Sequence, residues 1–196
     1  FPYPLDKGDK LRAFHQIAYL SRFHDVYLFA LSEESPSLDE VRHVQPYCRD
    51  IQVFRLKKSV ILLQSLLSLF KNSPLQAGYF FDPSIARQLT SAIANLQPDT
   101  IYCQLSRTAW YGNDLPGHKV LDFQDAFSLN YQRISEQSAG LKKWFYARES
   151  RLMRSFETRM MEWFDHTTII SAYDKASLER QPNQVVVVGN GVDMDY

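Results

Sequence analysis

The apolar runs TIYCQ at residues 100–104 and KVLDF at residues 119–123 decide the fold class of this chain. Each is short and nearly continuous, as in strands that are buried on both faces, and Pro98-Asp99 marks the start of the first. The residues before them, 83–96, carry apolar side chains at helical spacing. A helix followed by buried strands indicates a parallel sheet covered by helices.

The same alternation extends in both directions from this pair of strands. A Ser37/Glu40 capping-box pair opens a short helix that Pro46 closes. The other predicted strands are 26–31, 51–56, 167–171 and 185–188, and the other predicted helices are 10–23, 58–71 and 141–164. We therefore expect one domain over residues 1–196, an α/β fold with a doubly wound, mostly parallel sheet and helices on both faces. Tyr102 and Cys103 are predicted to lie in its core.

Composition excludes several classes of protein. The chain has 22 basic and 22 acidic residues, so it has no excess of positive charge that would attract a nucleic-acid backbone. Two distant cysteines form neither a disulfide framework nor a zinc site, which predicts a reducing compartment. The histidines show no metal-ligand spacing, and seven glycines leave no dinucleotide fingerprint. No apolar run is long enough to span a bilayer.

Ligands of doubly wound sheets bind where strands end, so the loops carry the candidate site residues. The first loop, residues 4–12, leads into a helix. Gly8 permits close approach of a ligand, Asp9 is expected to cap the helix, and the free amides with Lys10 and Arg12 suit an anion. The alternative interpretation is a capped helix start with solvated charges.

Three later loops also follow predicted strands. Asp122 and Asp125 stand at the end of one strand, and Asp125 is predicted to face a cleft, the alternative being a helix cap. Ser106-Arg107 would contact a phosphate or sugar, or form an ordinary polar loop. Asn190-Gly191 follows the last strand, where the alternative is a plain turn.

In this order and spacing, five segments resemble the amino-terminal domain of glycosyltransferase family 4, of the GT-B fold. The resemblance is closest to the bacterial subgroup associated with exopolysaccharide synthesis. The segments are the opening loop and helix 1–14, the Pro-Asp strand 98–103, the Leu-Asp-Phe-x-Asp strand 121–125, the Arg- and aromatic-rich helix 144–164, and the Asn-Gly-Val-Asp segment 190–193.

The resemblance implies one Rossmann-like half of a retaining glycosyltransferase that moves sugar from a nucleotide-sugar to an acceptor. The donor is then a substrate, and neither a cofactor nor a metal is expected. This domain would supply the acceptor side, with Asp125 at the cleft floor as the catalytic candidate. Gly8, Asp9, Lys10 and Arg12 would lie near the donor diphosphate. Ser106, Arg107, Asn190 and Gly191 complete the predicted substrate-binding set.

Two departures from the family pattern set further expectations. The family's first strand is missing before Phe1, and the donor-binding domain is missing after Tyr196. A fragment with these boundaries is expected to be inactive alone. Without that strand it would expose unpaired backbone groups. Either the strand belongs to the whole protein but not to this chain, or the fragment recruits a replacement, which a second copy would supply in a homodimer.

The most apolar stretch, residues 60–70, is flanked by Lys57, Lys58 and Lys71. One interpretation is a core helix, buried partly under the second domain. The other is an interfacial helix over 58–71, extended by the basic and aromatic residues around Trp144, that reaches a lipid-linked acceptor. The predicted location is the cytoplasm, with peripheral contact to the inner face of the membrane.

Two rival functions remain open from the sequence. A GT-B sugar epimerase would use a nucleotide-sugar without an acceptor. A non-catalytic Rossmann-like interaction module would bind nothing in these loops.

Overall fold

The computed structural model describes residues 1–178 and 185–191, which fall into two compact units with a boundary after Val60. The helices are α1 (Gly8–Leu20), α2 (Leu38–Val44), α3 (Lys58–Phe70), α4 (Leu75–Tyr79), α5 (Pro83–Leu96), α6 (Ala109–Asn113), α7 (Phe127–Glu136), α8 (Gly140–Trp163) and α9 (Ala172–Leu178). The strands are β1 (Tyr27–Ser32), β2 (Asp50–Arg55), β3 (Thr100–Gln104), β4 (His118–Asp122), β5 (His166–Ile169) and β6 (Val185–Val187).

The amino-terminal unit is built on the parallel pair β1 and β2, in which Tyr27 is opposite Asp50. The predicted capping box is confirmed at the start of α2. The Ser37 hydroxyl accepts from the Glu40 amide at 3.2 Å, and the Glu40 carboxylate accepts from the Ser37 amide at 2.6 Å. These two bonds satisfy amides that the first helical turn leaves without partners, which fixes the start of the helix.

The carboxy-terminal unit holds a four-stranded sheet in the order β3-β4-β5-β6, and every pairing is parallel. Its core is formed by side chains that are nearly inaccessible to solvent. These are Leu121, Phe123, Met153, Phe156, Met160 and Ile169. Parallel strands with covering helices confirm the predicted α/β class.

The predicted helix 141–164 corresponds to α8, and α7 precedes it. Phe156 and Met160 of α8 are fully buried, whereas Leu141 is 87% exposed. Two carboxylates, Glu149 and Glu157, also lie on the buried face of α8. Their amide donors come from outside the helix, Leu75 for Glu149 and Ser128 for Glu157.

No helix among the described residues combines the length and the apolar character that a bilayer crossing requires. The longest, α8, carries charged side chains along its whole length.

Close packing of α4 on α3 requires a residue without a side chain at position 78. A Cβ atom built there would overlap the Ser68 hydroxyl and stand 2.7 Å from the Gln64 carbonyl oxygen. Because that oxygen belongs to the backbone of α3, it cannot turn away as a side chain could. An added methyl group would therefore force α3 and α4 apart. We expect Gly78→Ala to lower the free energy of unfolding by about 1–3 kcal/mol in chemical denaturation. Gly8→Ala is the control, since nothing lies within 4 Å of its added Cβ. Equal denaturation midpoints for the two variants would contradict this packing.

Candidate functional site

The carboxyl ends of four strands lie side by side at one edge of the larger sheet. Gln104 of β3 pairs with Asp122 of β4, Asp122 with Thr168 of β5, and Ile169 of β5 with Val187 of β6. The loops that follow these strands therefore leave the sheet in one row. Neighbouring strands are about 4.8 Å apart, so the row spans about 14 Å.

Asp122 holds this edge together from inside the sheet. Its side chain is fully buried. It accepts hydrogen bonds from the Tyr102 hydroxyl at 3.0 Å, the Thr168 hydroxyl at 3.0 Å and the backbone amide of Gln124 at 3.3 Å. One carboxyl group thus joins side chains of β3 and β5 to the end of β4. Tyr102 is 41% exposed, so the prediction that it lies in the core is wrong, whereas Cys103 is buried as predicted.

Two residues directly beyond the strands adopt positive φ angles that side chains rarely allow. Leu105 after β3 has φ 70°, and Gln124 after β4 has φ 61°. Neither is glycine, so each conformation costs of order 1 kcal/mol and persists only because the surroundings impose it. Such backbone strain concentrates at binding and catalytic sites.

Two buried polar groups at this edge have no hydrogen-bond partner among the described residues. They are the Ser106 hydroxyl, on a fully buried side chain, and the Gln124 Nε2 amide, on a side chain that is 3% exposed. An unpaired buried polar group costs about 1–3 kcal/mol. Both groups follow adjacent strands and are closed to solvent, so neither presents a surface to a ligand in this conformation.

Two carboxylates lie in the loops of this edge, Asp125 exposed and Asp174 half-buried. Asp125 is exposed, and its amide donates to the Phe123 carbonyl oxygen at 2.8 Å. In the next loop, the Ser171 hydroxyl accepts from the amides of Tyr173 and Asp174 at the start of α9. Burial and the charge of Asp125 raise the pKa of Asp174, and Arg133 opposes that rise. The Asp125 and Asp174 carboxylates are therefore close enough to interact electrostatically.

The predicted site residues of the carboxy-terminal unit all lie along this edge, but they differ in how exposed they are to solvent. Ser106 is buried, while Arg107 places its guanidinium 4.9 Å from the centre of the Phe80 ring. Asn190 and Gly191 are exposed beyond β6, three strands from Ser106. The helix-cap alternative for Asp125 is wrong, because α7 begins at Phe127 after Ala126 without a side-chain cap. The Val192 and Asp193 positions of the predicted Asn-Gly-Val-Asp segment lie outside the described residues.

The first predicted loop belongs to the amino-terminal unit, at the start of α1. The expected cap at Asp9 is wrong, because the helix begins at Gly8 with Lys7 as N-cap, which makes no side-chain cap bond. Asp9 instead accepts from the Lys10 amide at 3.0 Å, and Lys10 Nζ pairs with Asp6 at 2.8 Å. The hydrogen bond from Lys10 lowers the pKa of Asp6. Arg12, in the second turn, is only 8% exposed.

A cavity of about 320 Å³ lies elsewhere, between α7 and α8, and is lined by Gln132, Ser135, Glu136, Ala147, Ser150, Arg151 and Arg154. None of these residues belongs to the predicted site. Within residues 1–178 and 185–191, no group of three His, Cys, Asp or Glu side chains is placed to hold a metal ion.

Comparison with known proteins identifies the class to which this architecture belongs. A family model described as Glycosyltransferase Family 4 matches residues 12–196, nearly the whole chain. The chain therefore belongs to glycosyltransferase family 4, with an α/β fold consistent with one Rossmann-like half of a GT-B enzyme. Searches of curated proteins and of solved structures gave no match.

Sequence reasoning missed Gln124 and Asp174 at this edge. The sequence contains a weak signal for Asp174, since it lies three residues after Ser171 in the Ser-x-x-Asp spacing of a helix start that follows a strand. Gln124 has no such signal, because its importance comes from a left-handed backbone that only the folded chain imposes.

Proposed function

We propose that this chain is the acceptor-side domain of a retaining, nucleotide-sugar-dependent glycosyltransferase that builds a cell-surface polysaccharide or glycolipid. The observation that carries the proposal is the family match over residues 12–196, together with the exposed carboxylate of Asp125 just beyond β4 at the carboxyl-end edge of the parallel sheet. Sugar acceptors present several hydroxyl groups at fixed spacing, and such groups both donate and accept hydrogen bonds. Family membership supplies the reaction class that this edge would serve.

In the proposed reaction, an acceptor hydroxyl oxygen bonds to the anomeric carbon of the donor sugar. For retention, the acceptor oxygen adds to the face of the carbon from which the diphosphate leaves. As the bond from that carbon to the diphosphate breaks, the departing diphosphate oxygen takes up the hydroxyl proton. Asp125 would accept a hydrogen bond from the attacking hydroxyl, which orients its lone pair and stabilises the positive charge that develops on the oxygen. Asp174, which shares its surroundings, would bind a second hydroxyl.

The donor diphosphate is assigned to the start of α1, as the family resemblance implies. Helix amino termini attract anions, and Gly8, Asp9, Lys10 and Arg12 lie in the first two turns. Lys10 is already paired with Asp6, so a diphosphate would have to compete with that carboxylate. A second Rossmann-like domain would bind the rest of the donor. No metal is needed in this scheme, because the diphosphate charge would be met by the cations and amides.

Arg12 tests the diphosphate assignment. We expect Arg12→Ala in the intact enzyme to raise the donor KM or lower kcat by roughly 10-fold or more, because a charged hydrogen bond to the phosphates is lost. Turnover is followed as nucleotide release, and thermal melting shows whether the variant is folded. Arg22→Ala, which removes an exposed arginine just beyond α1, is the matched control. Unchanged kinetics in a folded Arg12 variant would refute the role.

The proposed location is the cytoplasm. Both cysteines, Cys48 and Cys103, are buried free thiols, which suits a reducing compartment. Burial raises the pKa of the Cys103 thiol to about 12, so it stays protonated and unreactive.

A further inference from the structure

One face of α3 is apolar and exposed. Five side chains on this helix are between 43% and 84% exposed: Leu62, Leu63, Leu66, Leu69 and Phe70. With 100° of rotation per residue, the five positions fall within an arc of about 120°. The helix thus presents a continuous apolar face to the surroundings of the described chain, while Ser68, on its opposite side, packs against Gly78.

This face continues onto the first turns of α8. Arg148 of α8 donates from Nη2 to the Leu69 carbonyl oxygen at 3.2 Å, which ties the end of α3 to α8. Leu141 and Trp144 lie seven and four residues before Arg148, on the same side of α8, and are 87% and 66% exposed. Phe70 and Trp144 therefore flank the same interhelical bond.

The charged residues within the two segments that form this surface all have one sign. Residues 61–71 and 141–147 contain Lys71, Lys142 and Lys143 and no acidic residue, although the whole chain is neutral. All three lysines are exposed. Exposed leucines, a tryptophan and adjacent lysines are the combination that binds at the surface of an anionic bilayer, where apolar side chains enter the acyl boundary and lysines meet the headgroups.

We propose that the surface formed by residues 61–71 and 141–147 docks on an anionic lipid bilayer. A protein partner fits less well, because interface cores are depleted of lysine. A bilayer accepts the leucine-rich face and the lysines together, since it offers an apolar layer directly beneath anionic groups. Vesicle binding can be measured without sugar transfer. A failure of docking can therefore be distinguished from a failure of the proposed function.

The test is flotation of the intact protein with vesicles of phosphatidylglycerol mixed into phosphatidylcholine, and with phosphatidylcholine alone. We expect binding to the anionic vesicles, and weaker binding at high salt because lysine attraction is screened. Leu66→Gln/Phe70→Gln should reduce the bound fraction at limiting lipid about 10-fold or more, and so should Lys142→Glu/Lys143→Glu.

Matched controls separate this surface from general stickiness. Leu38→Gln removes a leucine that is 79% exposed on α2, and Arg87→Glu reverses an exposed charge on α5. Both should float like the unaltered protein, and equal melting midpoints would show that every variant is folded. Flotation with neither vesicle type would overturn the proposal. The proposal would also be overturned if no protein floated and Leu66→Gln/Phe70→Gln lowered the melting midpoint. That result would mean that another part of the intact protein, or a second copy, covers this face.

Discussion

Replacing Asp125 by Asn is expected to lower kcat for sugar transfer by roughly 100-fold or more, with a much smaller change in the donor KM. Asn keeps the size of the side chain but cannot accept the hydroxyl hydrogen bond with a negative charge, so the loss falls on the transition state. A 100-fold loss corresponds to about 3 kcal/mol of transition-state stabilisation. Asp125 is exposed and contributes no side-chain hydrogen bond within the described residues, so folding should be unaffected.

The measurement for Asp125 is initial-rate kinetics with varied acceptor and donor. Asp99→Asn is the matched control, because Asp99 is exposed at the opposite end of the same sheet, just before β3. Asp174→Asn should raise the acceptor KM more than it lowers kcat. If Asp125→Asn leaves kcat and the acceptor KM within a factor of two, Asp125 is not part of the reaction centre.

Glu157 should give the largest effect on stability, and that effect depends on pH. This α8 residue is fully buried, its Oε1 accepts from the Ser128 amide at 3.1 Å, and its Oε2 has no partner among the described residues. Burial raises the pKa of Glu157 to about 7, and the hydrogen bonds from residues 127–128 and the charge of Arg154 lower it only in part. Its ordinary pKa is 4.5.

The sign of the pH effect follows from which state holds the proton. Between pH 4.5 and about 7 the folded chain keeps Glu157 protonated while the unfolded chain has lost that proton. The folded state binds more protons in this window, so the free energy of unfolding falls as pH rises through it. The full contribution is about 3 kcal/mol, present below the window and lost above it.

Glu157→Gln removes this dependence because glutamine stays neutral and keeps an oxygen for the Ser128 amide. Its unfolding free energy should match that of the unaltered protein near pH 4 and exceed it by about 3 kcal/mol near pH 8. Urea denaturation across this pH range measures the difference. Glu162→Gln, at an exposed position of the same helix, is the control. Parallel curves for the Glu157 variant and the unaltered protein would contradict a protonated buried carboxyl group.

Much of the fold could be predicted because its signals are local. The run at 100–104 gives β3 with the same bounds, the 83–96 pattern gives α5, and the Ser37/Glu40 pair forms the capping box it predicts. The short helices α4, α6 and α9 were missed because five to seven residues cover too few turns for an apolar period to show.

The site was harder to predict because its features depend on packing. Asp122 and Asp125 are three residues apart, yet one is buried in the sheet and the other is exposed. The left-handed turn at Gln124 separates them, and no glycine marks it. The burial of Glu157 was equally hidden, since an acidic residue among the basic residues of α8 is expected on a solvated face.

Acceptor-dependent donor turnover is the direct test of whether this protein transfers sugar. The intact protein is incubated with a panel of UDP- and GDP-sugars, with and without a lipid-linked acceptor extract, and free nucleotide and the sugar products are measured. We expect nucleotide release from at least one donor only when acceptor is present, with loss of that release in Asp125→Asn. Sugar isomerisation without acceptor, or complete inertness across a broad panel, would rule out sugar transfer by this protein.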